Sequence, residues 1–452
     1  MQINSKVDNF LNIICSKIRY VPIRKDISEE IRTHIDDLKE SYILEGNNNE
    51  LAEEKAIKDM GDPETIGNSL NKIHKPKLDV KLFFTVIILI FIGIIVTYSL
   101  SSTIYEKYYW DSKGIIKNIS INVIALLLGI GVYFFNYTKL KKNSGIIYII
   151  SSILGLLSLS SNKYIDIPSF SIMFPAVNLI VPLFIISFAG FVNNFQLNRK
   201  NDIVLLGLLA SVSLYIISIC DNILYLFILF ISYILIFCFH IFRMNLYSRK
   251  FKEVTLYILT YSFLLIIALF TLTSYPYKIK AIYDIIEPEY KSSYEIQTNY
   301  KRNVINNARI FGNANINENF YNDITYKEAA YGLLNAEETD IFCYIIAQYG
   351  IFPASIVALL VIILIIKIIS NVKYVKDQYG KCIIVGLGSM LIINAILNLL
   401  GNLCLININS AFLPFVSYSG FINVINIIIM ALILSIYRRK DIIVIKENKV
   451  VS

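Results

Sequence analysis

Charged residues are scarce in this chain of 452 residues. They make up 17% of it, whereas hydrophobic residues make up 56%, and the mean hydropathy is +0.58. A typical soluble domain is about 45–50% apolar and about 25% charged. The composition therefore argues against an ordinary soluble fold of this size. It argues equally against a disordered chain, which would be rich in charge and poor in apolar residues.

Residues that commonly bind metals or form disulfides are also few. The three histidines, His34, His74 and His240, are scattered, and the six cysteines include no CxxC pair. Most of the cysteines lie in apolar runs, where a thiol behaves as a small hydrophobic group. We therefore predict neither a zinc site nor a disulfide framework. Residues 1–78 also lack the short apolar core and cleavage site of a signal peptide, so we expect none.

The charges that are present concentrate at the N-terminus. Residues 1–78 hold 12 Lys/Arg and 14 Asp/Glu. Apolar residues recur at helical spacing from Ile27 to Tyr42, which predicts an amphipathic helix. Ser28 is placed to cap the start of this helix and Gly46 to end it.

Two shorter helices are predicted after the first one, at about 51–60 and 66–73, with a turn at 61–63 between them. Over residues 10–75 the pattern resembles the prefix domain found ahead of many Gram-positive permeases. We therefore expect residues 1–78 to form a cytosolic three-helix domain with a docking or regulatory role.

The remainder of the chain contains ten long apolar runs. A membrane-spanning helix needs about 20 largely apolar residues. The runs lie at about 82–103, 119–137, 145–160, 174–193, 202–219, 223–242, 254–274, 341–366, 382–403 and 415–437. They predict an all-α, polytopic membrane domain with ten transmembrane helices over residues 79–440, followed by a tail at 441–452.

The placement of Lys and Arg between these runs predicts the topology. If residues 1–78 are cytosolic, the inside segments hold 18 Lys/Arg and the short outside segments hold 4. This bias follows the positive-inside rule. It predicts a multi-pass protein of the cytoplasmic membrane, surrounded by lipid, with both termini cytosolic and a large outer loop at 275–338. The excess positive charge is thereby explained without a nucleic-acid partner.

Polar residues at the outer ends of the spans are the candidate functional residues, because ionisable groups in a membrane protein are costly. Asp340 follows Thr339 at the point where the large loop re-enters the membrane. The position alone favours an N-cap, which contributes about 1 kcal/mol by satisfying free backbone N–H groups. The alternative is a chemical role for the carboxylate.

Three other polar segments have both a structural and a functional interpretation. Residues 413–420 read LPFVSYSG, which suits either a turn or a broken helix. Asp221-Asn222 lies between two spans and is interpreted as a capped turn. The basic residues of the large loop are either solvated or able to bind a pyrophosphate. They are Lys278, Lys280, Lys301, Arg302, Arg309 and Lys327.

Together these features resemble the SEDS family (FtsW/RodA/SpoVE) of cell-cycle and cell-shape proteins, over about residues 82–440. The most specific similarity is that of 413–420 to the family's LPFxSYGG motif. The segment beginning Thr339-Asp340 resembles its TDFIF motif, and Asn398 is a weaker match.

The resemblance implies a peptidoglycan glycosyltransferase that polymerises lipid II, the lipid-linked disaccharide-pentapeptide, during division, shape maintenance or sporulation. Asp340 would be the general base that takes a proton from the acceptor sugar hydroxyl, and partial shielding from water could raise its pKa toward a useful value. A class B penicillin-binding protein is the implied partner. No cofactor is implied with certainty, although a divalent cation could bind with the pyrophosphate. The implied substrate-binding residues are Thr339, Arg302, Arg309, Lys301, Pro414, Ser417 and Tyr418.

Some motif positions depart from the family pattern. Asn335-Ala336 stands where Pro-Glu is usual, and Asn409-Ser410 stands where Lys-Gly often precedes LPF. Two alternatives to the glycosyltransferase stay open, and the missing charged groups support the first of them. One is a non-catalytic scaffold for a penicillin-binding transpeptidase. The other is a lipid II flippase, which the near absence of charge within the predicted spans argues against.

Overall fold

A computed structural model describes residues 6–103, 113–160, 164–167, 172–195, 200–220, 223–243, 293–315, 339–406, 411–417 and 421–440. The chain divides into two compact units. The first comprises 1–78, 375–377 and 437–452, and the second comprises 79–374 and 378–436. The described residues are overwhelmingly helical, so the predicted all-α fold class is confirmed.

The N-terminal part of the first unit contains four α-helices among its described residues. They are α1 (Lys6–Lys17), α2 (Arg24–Leu44), α3 (Asn49–Met60) and α4 (Pro63–Ile73). The sequence predicts three helices here, and α1 is the additional one. Its apolar residues at helical spacing, from Val7 to Ile14, are buried against Ile27, Ile31 and Ile35 of α2. Without α1 this apolar stripe of α2 would lack much of its cover.

Side-chain caps begin two of these helices. Asn48 accepts a hydrogen bond from the N–H of Leu51 at the start of α3, and Asp62 accepts one from the N–H of Thr65 at the start of α4. The Thr65 hydroxyl also donates to Asp62, and this contact lowers the pKa of the Asp62 carboxyl. The predicted cap at Ser28 is wrong. A short 3-10 turn at Val21–Ile23 leads directly into α2, so the helix has already begun before Ser28.

The second unit is built mainly from helices, most of which are apolar. In chain order they are α5 (Val80–Thr103), α6 (Lys113–Phe134), α7 (Thr138–Lys142), α8 (Ser144–Ser160), α9 (Val177–Asn194), α10 (Lys200–Ile219), α11 (Ile223–Arg243), α12 (Ser293–Asn306), α13 (Ile341–Tyr349), α14 (Ile351–Tyr374), α15 (Gln378–Asn402) and α16 (Phe421–Arg438). The most buried are α9, α15 and α16. Helix α9 packs against α8, α11 and α15.

Seven described helices are long and apolar enough to cross a membrane: α5, α9, α10, α11, α14, α15 and α16. Two shorter apolar helices lie at 119–134 and 144–158. Large apolar side chains such as Phe91 and Leu127, both 63% exposed, lie on the outer surface, as expected for contact with lipid rather than water. The protein is therefore a multi-pass membrane protein. The predicted run at 254–274 lies outside the described residues, so the count of ten spans stays a prediction.

The fourth predicted span begins later than its apolar run suggests. Residues 172–175 form a strand, β2 (Ile172–Pro175), which pairs antiparallel with β1 (Tyr164–Ile167). Helix α9 then starts at Val177. Tyr, Ile and Phe favour strands, and Pro175 stands at the end of its strand, where a missing N–H is tolerated.

The ninth and tenth predicted spans also begin at residues other than those predicted. Helix α15 begins at Gln378, so Lys381, predicted in a loop, lies in the first turn of the helix with its side chain buried. The tenth span, predicted from 415, begins at Phe421 instead. Residues 413–417 form a turn before it.

The eighth predicted span is two helices, α13 and α14, separated by Gly350. Gly350 has φ +98°, and a Cβ atom there would lie 2.6 Å from the carbonyl oxygen of Ile310. The N–H of Ile351 donates to the carbonyl of Arg309 at 2.9 Å, and the N–H of Phe352 donates to that of Ile310 at 3.0 Å. The loop after α12 thus provides acceptors for the free N–H groups at the start of α14.

Replacing Gly350 with alanine should destabilise the protein. The Cβ atom would enter the space of the Ile310 carbonyl, and the left-handed backbone conformation is unfavourable for alanine. We expect a loss of about 1–3 kcal/mol in stability, measured as a lower melting temperature in detergent. Gly131→Ala in α6 is the control, because nothing lies within 4 Å of its added Cβ. Equal melting temperatures for the two variants would contradict the prediction.

Candidate functional site

A buried ion pair joins α12 to the start of α13. The ammonium nitrogen of Lys301 lies 2.6 Å from a carboxylate oxygen of Asp340. The two side chains are 3% and 4% exposed. Charges withdrawn from water in this way are tolerated only when they are paired. Among the basic loop residues that the structure describes, Lys301 is therefore the one that neutralises Asp340.

Asp340 does not act as a helix cap. It occupies the residue before α13, but its side chain makes no capping hydrogen bond. The N–H of Cys343 instead donates to Oδ1 of Asn402 at 3.0 Å, and the N–H of Tyr344 donates to the main-chain carbonyl of Asp340. The interpretation that position alone favours is thus wrong, because an amide from another helix does the capping.

Two asparagines of α15 hold the main chain beside Asp340. Nδ2 of Asn398 and Nδ2 of Asn402 each donate to the carbonyl of Thr339 at 2.8 Å. Nδ2 of Asn398 also donates to the carbonyl of Ala411 at 2.9 Å. The sequence indicates Asn398 only as a weak match and misses Asn402. The available signal was their spacing of four residues in an apolar span, which puts them on one face of a helix.

Helix α12 is held by contacts along the helix and in the loop that follows it. Tyr300 and Val304 are buried beside Lys301, and the thiol of Cys404, just after α15, lies 3.7 Å from the carbonyl of Thr298. Residues 309–315 continue from α12 to the break at Gly350. The position of the Lys301 ammonium is therefore fixed by packing on several sides.

The LPFVS segment forms a tight turn next to α5. The N–H of Leu413 donates to the hydroxyl of Ser417 at 2.9 Å, and Nδ2 of Asn423 donates to the Ser417 carbonyl. A Cβ atom on Gly93 would lie 2.8 Å from the carbonyl of Val416, so the turn packs directly on the α5 backbone. Pro414 and Ser417 are buried in this turn, and the Ser417 hydroxyl is engaged by it.

The two described arginines of the large loop make no ion pair with Asp340 that parallels that of Lys301. Arg302 and Arg309 are exposed, and the Arg309 side chain contacts Asn315. Tyr418 and Asp221-Asn222 lie outside the described residues, as do Lys278, Lys280 and Lys327. No group of three or more His, Cys, Asp or Glu residues that could bind a metal occurs in the described part of the chain. The divalent cation therefore stays a prediction.

Comparisons with known proteins match the membrane unit. The family model for FtsW, RodA and SpoVE, described as "Cell cycle protein", matches residues 80–442. Two relatives are named as probable peptidoglycan glycosyltransferase FtsW. The one from Enterococcus hirae is 29% identical over 32% of this chain and 34% of its own. The one from Bacillus subtilis (strain 168) is 35% identical over 20% and 23%. The chain thus matches about a third and a quarter of their lengths.

Solved structures share the fold. A chain from a study of polymerization and crosslinking by a peptidoglycan synthase complex has a TM-score of 0.60 and 16% identity, covering 80% of this chain and 98% of that chain. The rod-shape-determining protein RodA from Thermus thermophilus has a TM-score of 0.52 and 13% identity, covering 80% and 97%. At these identities the likeness concerns the arrangement of helices.

Replacing Asn402 with leucine should destabilise the junction between α13 and α15. The N–H of Cys343 would lose its acceptor inside the protein, which costs about 1–3 kcal/mol. Thermal unfolding in detergent measures the effect. Asn394→Leu is the matched control, because among the described residues Nδ2 of Asn394 donates to Met390 of its own helix and not to another helix. If Asn402→Leu unfolds no earlier than this control, the capping role is refuted.

Proposed function

Because the chain belongs to the FtsW/RodA/SpoVE family of cell-cycle proteins, we propose that it is a peptidoglycan glycosyltransferase that polymerises lipid II. The observation that carries the proposal is the buried Lys301–Asp340 pair. The relatives named as FtsW glycosyltransferases support the same activity.

Asp340 is the proposed general base. Its carboxylate would take the proton from the acceptor sugar hydroxyl as that oxygen attacks the anomeric carbon of the donor, and the polyprenyl pyrophosphate would leave. Proton transfer by a positioned side chain typically contributes 10²–10⁴-fold to a rate. Because Asn402 caps α13, the Asp340 side chain is not used as the cap of this helix.

Lys301 has a different proposed role from the exposed arginines. It lies against Asp340, so it favours the ionised carboxylate that a base requires. It also supplies a cation in a chain that has Asn409-Ser410 where the family often has Lys-Gly. Arg302 and Arg309, both exposed on the same segment, stay candidates for binding the pyrophosphate. The leaving group develops charge that such cations would stabilise.

The surroundings follow from the same proposal. The protein would lie in the cytoplasmic membrane with both termini in the cytosol, so that Asp340 is at the outer face where lipid II is polymerised. The proposed partner is a class B penicillin-binding protein. The similarity to a chain of a peptidoglycan synthase complex supports a partner of this class. Membrane lipids would surround the apolar outer surface of the protein.

Asp340→Asn should abolish lipid II polymerisation by the purified chain, with a loss of about 10²-fold or more. Asparagine keeps the size of the side chain but cannot accept a proton at neutral pH. Polymer length and yield, measured on gels with and without the penicillin-binding partner, provide the readout. Asp202→Asn on α10 is the matched control and should retain activity.

The loss must be separated from unfolding, since an unpaired Lys301 would remain buried in the Asp340→Asn variant. The double variant Asp340→Asn/Lys301→Met removes both charges. We expect it to recover melting temperature without recovering polymerisation. Wild-type polymerisation by Asp340→Asn would rule out the general base and leave the scaffold as the better account.

Lys301→Met should shift the pH dependence of polymerisation. Without the adjacent cation the charged form of the Asp340 carboxyl group is disfavoured. The base would then become ionised only at higher pH, so the acidic limb of the pH–rate profile should shift to higher pH. Arg302→Met, at the next residue but exposed, should leave that limb in place. An unshifted limb in Lys301→Met would contradict the assigned role.

A further inference from the structure

Three buried oxygens beside Asp340 have no hydrogen-bond partner among the residues that the structure describes. They are Oγ1 of Thr339, Oδ1 of Asn394 and Oδ1 of Asn398. Their residues are 6%, 6% and 1% exposed. Buried polar atoms are normally paired, and each exception calls for an explanation.

The three residues that carry these oxygens are neighbours, and one of them is next to Asp340 in the chain. Nδ2 of Asn398 lies 2.8 Å from the carbonyl of Thr339, and Thr339 precedes Asp340 in the chain. Asn394 is one helical turn from Asn398 on the same face of α15. We call Thr339, Asn394 and Asn398 the oxygen row.

The chemistry of the oxygen row selects its ligand. Both N–H bonds of Asn398 are used, by the carbonyls of Thr339 and Ala411, and Nδ2 of Asn394 donates to Met390. What remains is two amide oxygens, which only accept hydrogen bonds, and one hydroxyl. Beside a carboxylate, such a group disfavours phosphate and suits a ligand rich in O–H and N–H donors. A sugar with hydroxyl and amide substituents has these properties.

We propose that the oxygen row binds the acceptor sugar of lipid II and orients its attacking hydroxyl toward Asp340. This inference rests on the proposed function and adds the residues that recognise the acceptor. The row and the carboxylate are buried in the described structure, so binding of the sugar requires this junction to open. The substrate's own pyrophosphate offers Lys301 an alternative anionic partner.

Thr339→Val and Asn394→Leu test the row without breaking a contact between helices. Each removes an unpaired buried polar atom, so we expect melting temperatures that are unchanged or higher. We expect kcat/KM for lipid II polymerisation to fall about 5- to 100-fold, as for the loss of a buried hydrogen bond to substrate. Asn371→Leu on α14 is the matched control. Its buried Nδ2 also lacks a partner among the described residues, and its kinetics should not change.

Wild-type kinetics in Thr339→Val and Asn394→Leu would overturn the proposal, since the row would then be a structural feature. A fall in Asn371→Leu as large as theirs would overturn it too. A lipid II analogue that lacks one acceptor hydroxyl provides a stricter check. If a row residue binds that hydroxyl, the variant of that residue acting on the analogue should lose no more kcat/KM than either change causes alone.

Equilibrium binding of lipid II separates this inference from the proposed function. Binding is measured for the wild type, for Asp340→Asn, and for each row variant in the Asp340→Asn background. If the wild type binds lipid II but does not polymerise it, the glycosyltransferase proposal fails, while weaker binding by the row variants would uphold the row. Equal binding by all variants overturns the row, and absence of binding by the wild type overturns both.

Discussion

An ammonium group and a carboxylate that are both withdrawn from water have to neutralise each other. Taking either charge out of water costs several kcal/mol, and only close pairing offsets this cost. Lys301 and Asp340 satisfy the requirement at 2.6 Å. The pair therefore ties α12 to the start of α13, because separating these elements would leave two charges buried and unpaired. The contacts of Cys404 and of residues 309–315 restrict α12 in the same sense.

The second condition for this arrangement is that the backbone be satisfied by groups other than the carboxylate. A helix start exposes N–H groups that attract any nearby acceptor, and Asp340 is in the right place to serve. Asn402 takes that role with its Oδ1 while its Nδ2 holds the Thr339 carbonyl. An amide can do both because it carries a donor and an acceptor. Neutral side chains thus cap this helix and hold the main chain beside Asp340, as the proposed role of the carboxylate requires.

Much of the fold was predictable because membrane helices are specified by local composition. Hydropathy predicted the long apolar helices of the second unit, and the pattern of residues 27–73 predicted α2 to α4. The break at Gly350 was not predictable in this way, since apolar residues continue on both sides of it. It depends on a loop from elsewhere in the chain that donates to and accepts from the two helix ends. Helix α1 was missed for a different reason: its short apolar stripe acquires meaning only when it is packed on α2.

The site was predictable in part, for a related physical reason. The TD pair could be read from the sequence, but Lys301, Arg302 and Arg309 were equivalent there, and among these three described residues the fold pairs Lys301 with Asp340. The spacing of Asn394, Asn398 and Asn402 was readable, yet only the structure shows which of their atoms are engaged. A protein that served only as a scaffold would gain stability by replacing a buried ion pair and unpaired oxygens with apolar side chains. That both costs occur at one helix junction is what the chemical role proposed for this junction would lead us to expect.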